Sequence, residues 1–357
     1  MRRNGARNKA RKVKPRHRLR LGCGIGSVRA GVLAASLGAS ALTGCSGSDG
    51  ATGTLPLLKT ATVALPGNTS RMDYTSLDTR RHRLFIAHLG QGEIIVVDTN
   101  TRGVLARIPA PDVHGVLAVP QLGKVYATAS DSAQALTIDT DTLQVIARTH
   151  TGGTPDGFSY DSADHRVFVS DETGDELTVL EAASGLAIGA VKLGGEVGNN
   201  SYDPASGRIL ALDQTHNQLD VINPMTLAVI ARHHLGNCDH SHSLTLDSLT
   251  RRAFVACDGN NQLLTVDLDT FGETDHTATG AGPDVLALDP GLNRLYVAAE
   301  SGTWTVFDTA NRHTRLIARR HLAADAHTLA VDDTTHAVYV PLADHGGHPV
   351  LEVLIPT

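Results

Sequence analysis

The chain has 357 residues, a length that by itself allows two or three domains, and a formal net charge of −6 at pH 7. Aromatic residues make up only 4%, with Trp304 as the one tryptophan, so little surface is available for stacking on sugars or nucleic-acid bases. Four enzyme motifs are missing from the sequence: a Gly-rich phosphate loop, a GxSxG nucleophile turn, an HExxH zinc motif and a CxxCH haem site.

Residues 1–44 have the features of a secretory signal. They contain eleven Lys and Arg and no acidic residue, and a run of small and apolar residues extends from Ala30 to Thr43. A run of about fourteen residues is too short to span a bilayer, for which about 20 are needed. We therefore expect the leader to be a targeting segment rather than a membrane anchor.

The segment Leu42-Thr43-Gly44-Cys45 resembles a bacterial lipobox. The resemblance implies cleavage before Cys45 and attachment of diacylglycerol to its sulfur, and Ser46 at the next position implies an outer-membrane address. We therefore expect a cell-envelope lipoprotein facing the periplasm, with residues 1–44 as signal peptide and residues 45–56 as a Ser/Gly-rich, lipid-anchored tether. The alternative is a plain signal peptide with a chance cysteine.

Removal of the leader changes the charge balance. The mature chain would keep 31 − 11 = 20 Lys and Arg against 37 Asp and Glu, a formal net charge of 20 − 37 = −17. Such a surface repels phosphate backbones and attracts cations or cationic partners. We therefore expect no nucleic acid among the partners, and a cationic ligand or protein instead.

Residues 57–66, LLKTATVALP, resemble the last strand of a repeat that follows them. The final repeat has three predicted strands, at 328–331, 337–341 and 350–355, and no fourth. We expect the N-terminal segment to supply that missing strand, because an unpaired sheet edge would otherwise remain.

A spacing of twelve residues between a polar or small residue and a later aromatic or apolar residue recurs seven times. Successive units begin 41–44 residues apart, at Asp73, His114, Asp156, Gly198, His242, Asp284 and His327. A period in the low forties with several short strands per repeat is typical of a β-propeller, in which each repeat forms one four-stranded blade. The sequence therefore predicts an all-β, seven-bladed β-propeller over residues 57–357, closed by its N-terminal strand.

The chain resembles the YVTN-repeat, YncE-like β-propellers in four strand segments: Leu295-Tyr296-Val297-Ala298, Val338-Tyr339-Val340-Pro341, Val125-Tyr126-Ala127-Thr128 and Val167-Phe168-Val169-Ser170. The resemblance implies the propeller fold for nearly the whole mature chain. It implies little about function, because related propellers include noncatalytic binding proteins, lactonases and parts of amine dehydrogenase and nitrous oxide reductase.

In a propeller, the loops before the first strands and the loops joining second to third strands lie on one face, here called the top face. We predict a ligand-binding ring at the channel mouth on that face, formed by Asp73, His114, Asp156, His242, Asp284 and His327. The second set of loops adds further candidates: Asp131, Asp171, Glu172, Asp175, Asp213, His216, Asp258, Glu300, Asp344, His345 and His348.

Imidazole and carboxylate groups bind transition metals, so His114, His240, His242 and His327 are candidate ligands for Zn or Cu. No other cofactor is predicted. The alternative is that the ring side chains cap turns by accepting hydrogen bonds from backbone N–H groups, which Asp does routinely.

Cys238 precedes the first predicted strand of the fifth repeat, and Cys257 ends the second, so the topology can bring the two sulfurs together. An oxidising periplasm favours a disulfide. The alternative is a metal site that combines both thiolates with His240 and His242.

The sequence thus favours a monomeric, noncatalytic periplasmic propeller that binds a ligand, a metal or a protein at its acidic top face. The alternative is a lactonase-type or metal-dependent hydrolase at the channel mouth. A redox-partner role, related to amine dehydrogenase or nitrous oxide reductase propellers, rests on the resemblance alone.

Replacement of Cys45 by Ala tests the lipobox. We expect the variant to leave the membrane fraction, because a diacylglyceryl group is the predicted membrane link. Cys23→Ala, which removes the cysteine inside the leader, should fractionate like the wild type. If Cys45→Ala protein still partitions with membranes at the same processed size, the lipobox interpretation is wrong.

Overall fold

The structure, a computed structural model, describes residues 52–357. These residues form 28 β-strands in seven four-stranded antiparallel sheets, which confirms the predicted seven-bladed β-propeller. The signal peptide, Cys45 and most of the tether lie outside the described residues. Within residues 52–357, no helix has the length and apolarity needed to cross a membrane.

Each of the first six blades uses four consecutive strands, and the first strand of each blade contacts the first strand of the next around the channel. Blade one consists of β2 (Thr75–Asp78), β3 (Arg83–His88), β4 (Glu93–Asp98) and β5 (Val104–Pro109). Blade two consists of β6 (Val113–Val119), β7 (Lys124–Ala129), β8 (Gln134–Asp139) and β9 (Val145–His150). Blade three consists of β10 (Pro155–Asp161), β11 (Arg166–Asp171), β12 (Glu176–Glu181) and β13 (Ala187–Lys192).

Blades four to six follow the same pattern. Blade four consists of β14 (Val197–Asp203), β15 (Arg208–Asp213), β16 (Gln218–Asn223) and β17 (Ala228–His234). Blade five consists of β18 (Ser241–Asp247), β19 (Arg252–Cys257), β20 (Gln262–Asp267) and β21 (Glu273–Ala278). Blade six consists of β22 (Pro283–Asp289), β23 (Arg294–Ala299), β24 (Thr303–Asp308) and β25 (Arg315–His321). Short 3₁₀ turns occur at Leu89–Gln91, Pro120–Leu122, Ser130–Ser132 and Glu172–Gly174.

Blade seven combines the two ends of the described chain. Its strands are β26 (Ala330–Val331), β27 (Val338–Leu342), β28 (Val350–Pro356) and, on the outside, β1 (Leu57–Ala64). β1 runs antiparallel to β28 from the pair Leu57 and Pro356 to the pair Ala64 and Val350. The predicted closure by the N-terminal strand is therefore confirmed.

Polar side chains close the hairpins after the third strands. The Asp139 carboxylate accepts hydrogen bonds from the backbone N–H groups of Asp141 and Thr142, at 3.1 and 2.8 Å. These bonds satisfy donors that a sharp reversal would leave free. Equivalent contacts are made by Asp98, Asn223 and Asp267.

The core lies between adjacent blades rather than inside any one of them. Phe85 and Val96 of blade one, for example, share an apolar cluster with Val125 and Leu136 of blade two. Large polar-tipped side chains also cross between blades, as the indole of the fully buried Trp304 donates to the Ala326 carbonyl at 2.6 Å. Each blade therefore depends on its neighbours for burial of its faces.

A truncation tests the closure. A chain that begins at residue 67 lacks β1 and the buried Leu65, so it should be less stable than a chain that begins at residue 52. We expect a loss of more than about 2 kcal/mol in unfolding free energy, because loss of one buried leucine alone costs that much. Thermal and urea denaturation measure the difference, and equal stability of the two truncations would contradict the closure scheme.

Candidate functional site

The top-face loops surround a cavity of about 230 Å³ at the channel mouth. Six carboxylates line it, together with one guanidinium and three imidazoles. Five of the six predicted ring residues belong to this lining, and the sixth, His327, is buried beside it. The lining side chains that bear charge are Arg71, Asp73, His114, Asp156, Glu172, His240, His242, Asp258, Asp284 and Glu300.

The second set of loops contributes less than the sequence predicts. Glu172, Asp258 and Glu300 reach the cavity. The others do not line it: Asp131, Asp171, Asp175, Asp213, His216, Asp344, His345 and His348. Some of these have structural contacts instead, since the buried Asp171 carboxylate accepts a hydrogen bond from the backbone N–H of Thr178 at 3.0 Å.

Close approach of the first strands brings the ring residues together. A Cβ atom at Gly115 would lie 1.9 Å from the Asp156 carbonyl oxygen, so glycine is required where β6 passes β10. Gly198, the ring position of blade four, is equally restricted, because its Cβ would lie 2.6 Å from the His242 carbonyl oxygen. The ring therefore has no side chain at blade four.

Two ion pairs link neighbouring blades. His114 Nδ1 lies 3.1 Å from Asp73 Oδ2, and His242 Nε2 lies 3.2 Å from Asp284 Oδ1. Burial alone lowers the pKa of both imidazoles, but the hydrogen bond and charge of the paired carboxylate outweigh it. The pKa of His114 is raised to about 9 and that of His242 to about 10. Both rings are therefore cationic at neutral pH.

The pKa values of the two ring carboxylates Asp156 and Asp284 shift in opposite directions. Burial and the charge of Asp73 raise the pKa of Asp156 to about 7, against the opposing effect of His242 and His114. Burial also acts to raise the pKa of Asp284, but its hydrogen bond with His242 and the nearby positive charges lower it overall. Asp156 is thus the ring carboxylate that can exchange a proton near pH 7.

Arg71, which the sequence analysis missed, adds a permanent positive charge to the ring. Its terminal nitrogens donate to the two Glu300 oxygens at 2.9 and 2.7 Å. Its separations from the Asp73 and Asp284 carboxylates are both 3.8 Å, longer than a hydrogen bond. The one sign of this residue in the sequence is a basic side chain two positions before the ring residue Asp73. That position lies outside the repeated spacing, so the repeat does not identify it.

Tyr74 separates the cavity from a second one, of about 480 Å³, that continues along the channel. Its hydroxyl accepts a hydrogen bond from Asn199 Nδ2 at 2.8 Å. Burial, followed by the charges of Asp156, Asp284 and Asp73, raises the pKa of this hydroxyl well above its usual value of 10. The phenol therefore stays protonated, and its O–H remains a possible donor to a bound group.

The four histidines predicted as metal ligands have different surroundings. His114 and His242 are paired with carboxylates, as described, and His240 Nδ1 lies 2.7 Å from Asp258 Oδ1. His327 alone belongs to a group of three potential ligands, with Asp73 and Asp284, whose ligand atoms all lie within 4.8 Å of one another. No other such group was found among residues 52–357.

Cys238 and Cys257 are joined by a disulfide in the structure, with Cα atoms 5.3 Å apart. Both residues are buried in the apolar core between blades four and five. In this state the sulfurs are not available as thiolate ligands, whereas His240 and His242 remain at the cavity.

The ion pairs predict a pH dependence of stability. Because the folded-state pKa of His114, about 9, exceeds the 6.5 of an unfolded histidine, its contribution is complete below pH 6.5 and is lost as pH rises through about 9. We expect the unfolding free energy of the wild type, measured by urea denaturation, to fall more steeply over this range than that of His114→Asn. His276→Asn, at an exposed site on β21, should keep the wild-type slope. Equal slopes in all three proteins would show that the pair is not formed.

The sequence comparisons cover part of the chain. No protein-family model matches it. Over 95 residues it is 34% identical to the uncharacterized protein YncE of Salmonella typhi, and equally to YncE of Salmonella typhimurium. The matched region is 27% of this chain and 27% of each relative, so the chain spans about a quarter of the length of the curated relatives it matches.

The structural comparisons cover most of the chain. The β-propeller domain of Myceliophteria thermophila Cps50 (Swd1) superposes with a TM-score of 0.70 and 10% identity over 85% of this chain and 100% of that domain. Kuenenia stuttgartiensis hydrazine synthase gives a TM-score of 0.68 and 13% identity over 84% and 97%. At these identities the likeness is one of fold alone. The chain is thus a seven-bladed β-propeller that is similar to YncE over 95 of its residues.

Proposed function

We propose that the chain is a noncatalytic binding protein of the cell envelope, and that its top-face cavity binds a cation or a cationic ligand. The observation that carries the proposal is the charge composition of the cavity. Six carboxylates converge on about 230 Å³, and their positive neighbours are one guanidinium and three imidazoles.

Burial strengthens the electrostatic interaction between these carboxylates and a cation. The side chains of Asp73 and Asp284 belong to residues only 2% and 6% exposed, and buried carboxylates require compensation by positive charge. Charge interactions are also stronger at low dielectric than in water. A cation that enters the cavity would therefore be attracted strongly, and the −17 charge of the mature chain would help to guide it there.

The cellular setting is part of the proposal. The LTGC segment supports a lipid anchor at Cys45 in the outer membrane, with the propeller in the periplasm as a monomer. The tether would leave the top face accessible to a small cation or to a basic segment of a protein partner.

One observation favours a second candidate, a hydrolase of the lactonase type. A general base works best when its pKa is near the working pH, and Asp156 in the cavity has a pKa raised to about 7. In this case Asp156 would activate water, and Tyr74, which also lines the cavity, would offer its hydroxyl as a donor to the substrate carbonyl.

Cation titrations of the mature chain distinguish the candidates. Calorimetry with Zn²⁺, Mn²⁺ and putrescine should detect binding that is weakened roughly tenfold or more in Asp156→Asn/Glu172→Gln. A unit charge pair at about 4 Å contributes on the order of 4 kcal/mol at an effective dielectric of 20, so loss of two cavity carboxylates is easily measured.

The charge-matched control is Asp131→Asn/Asp175→Asn, which removes two exposed carboxylates from top-face loops outside the cavity. It should bind cations like the wild type. Equal weakening in both double variants, or no binding of any cation, would refute cation binding in the cavity. Lactone hydrolysis by the wild type that disappears in Asp156→Asn would favour the hydrolase instead.

A further inference from the structure

We infer that Asp73, Asp284 and His327 form a binding site for a divalent transition-metal ion beside the channel mouth, where blades six, seven and one meet. The inference rests on the proposed cation-binding function and goes further, because it names the class of cation and its ligands. It differs from the four-histidine site that the sequence suggests.

The orientation of His327 is the first argument. Its Nδ1 lies 2.9 Å from the backbone carbonyl oxygen of Asp325, and a carbonyl can only accept a hydrogen bond. Nδ1 therefore carries the proton in the neutral ring, and Nε2 has a free lone pair. This is the tautomer that metal-binding histidines adopt when their other nitrogen donates to a carbonyl.

The unpartnered Nε2 atom is the second argument. His327 is 1% exposed, and its Nε2 has no hydrogen-bond partner. The atom lies 4.0 Å from Asp284 Oδ2, so a lone pair faces a carboxylate in a buried site. Buried polar atoms without partners are uncommon, because each costs about 1–3 kcal/mol. A cation between the two groups would satisfy both.

The spacing of the ligand atoms is the third argument. One atom each from Asp73, Asp284 and His327 lies within 4.8 Å of the others. Three ligands at the usual distance of about 2.0–2.2 Å from Zn²⁺ are about 3.3–3.8 Å from one another. The widest pair of ligand atoms must therefore close by about 1 Å to 1.5 Å when the ion binds, whereas His327 Nε2 and Asp284 Oδ2, at 4.0 Å, need only a small shift.

The surrounding residues support the ligands. His114 holds Asp73 at 3.1 Å and His242 holds Asp284 at 3.2 Å, as expected of carboxylate ligands that are themselves hydrogen-bonded. Besides these two paired imidazoles, the competing cation is Arg71, whose terminal nitrogens are bound to Glu300 and stay 3.8 Å or more from both carboxylates. Its pairing with Glu300 leaves room for a second cation.

The donor set indicates the class of metal. One imidazole nitrogen and two carboxylate oxygens suit borderline first-row ions such as Zn²⁺ and Co²⁺, whereas Cu(I) prefers sulfur ligands. Three protein ligands leave at least one coordination position for water.

The test uses the chelator-treated mature chain, titrated with Zn²⁺ by calorimetry and with Co²⁺ by visible absorption. We expect one tight site and a Co²⁺ spectrum typical of nitrogen and oxygen ligands. His327→Gln should weaken binding by more than roughly 100-fold, because loss of a supporting residue alone costs about 10–100-fold. His114→Asn removes only the hydrogen bond that supports Asp73, so its metal affinity should be lower than that of the wild type by about 10–100-fold.

His345→Gln is the matched control, since His345 is an exposed top-face histidine outside the cavity. It should bind both metals like the wild type. If His327→Gln does not fold, as judged by circular dichroism, Asp284→Asn replaces it and should show the same loss. Unchanged metal affinity in His327→Gln or in its replacement Asp284→Asn, or a Co²⁺ spectrum that the substitution leaves unchanged, would refute the site.

The outcomes separate this inference from the proposed function. If putrescine binds in the cavity but Zn²⁺ and Co²⁺ do not, the metal site is refuted and cation binding stands. If the metals bind but the loss follows His240→Gln rather than His327→Gln, the cation function stands with a different ligand set. If no cation binds, both are refuted.

Discussion

The pairing of β1 with β28 is the constraint on which the rest of the structure depends. Each blade is a four-stranded sheet whose faces are covered by its neighbours, so a stable arrangement requires a closed series of blades. Blade seven obtains its outer strand from residues nearly 300 positions away in sequence, at Leu57–Ala64. Closure holds the seven first strands around one channel, and this places their top-face loops within contact distance of one another.

The crowding of those loops creates the electrostatics of the site. Burial disfavours charge, yet imidazoles and carboxylates alternate around the ring, so two of the carboxylates are compensated by an imidazole of a neighbouring blade. His114 and Asp73 form one pair, and His242 and Asp284 form the other. Asp156 lies near two cationic rings but also near Asp73, and its pKa rises to about 7. Under the proposed function, a cation would bind to such a site by competition with the positive charges already present.

His327 differs from the other ring histidines because its backbone contact determines its tautomer. The bond from Nδ1 to the Asp325 carbonyl leaves Nε2 without a partner, next to carboxylates that are already held by other histidines. A capping role, the alternative considered for the ring residues, would use the side chain to satisfy backbone N–H groups. The His327 ring instead donates to a carbonyl, which is the arrangement of a supported ligand rather than of a cap.

The sequence by itself determined the fold, the number of blades, the closing strand and the repeated ring position at the channel mouth. These follow from a local period and from the order of strands, both of which are encoded along the chain. It also predicted that Cys238 and Cys257 lie close together. It could not distinguish a disulfide from a metal site, because both require the two sulfurs to be close. Only the tertiary structure decided that His114 and His242 pair with carboxylates, that Arg71 and Tyr74 enter the site, and that His327 has a free nitrogen. Those features depend on ångström-scale distances between loops of different blades, and no repeat spacing specifies where such side chains meet.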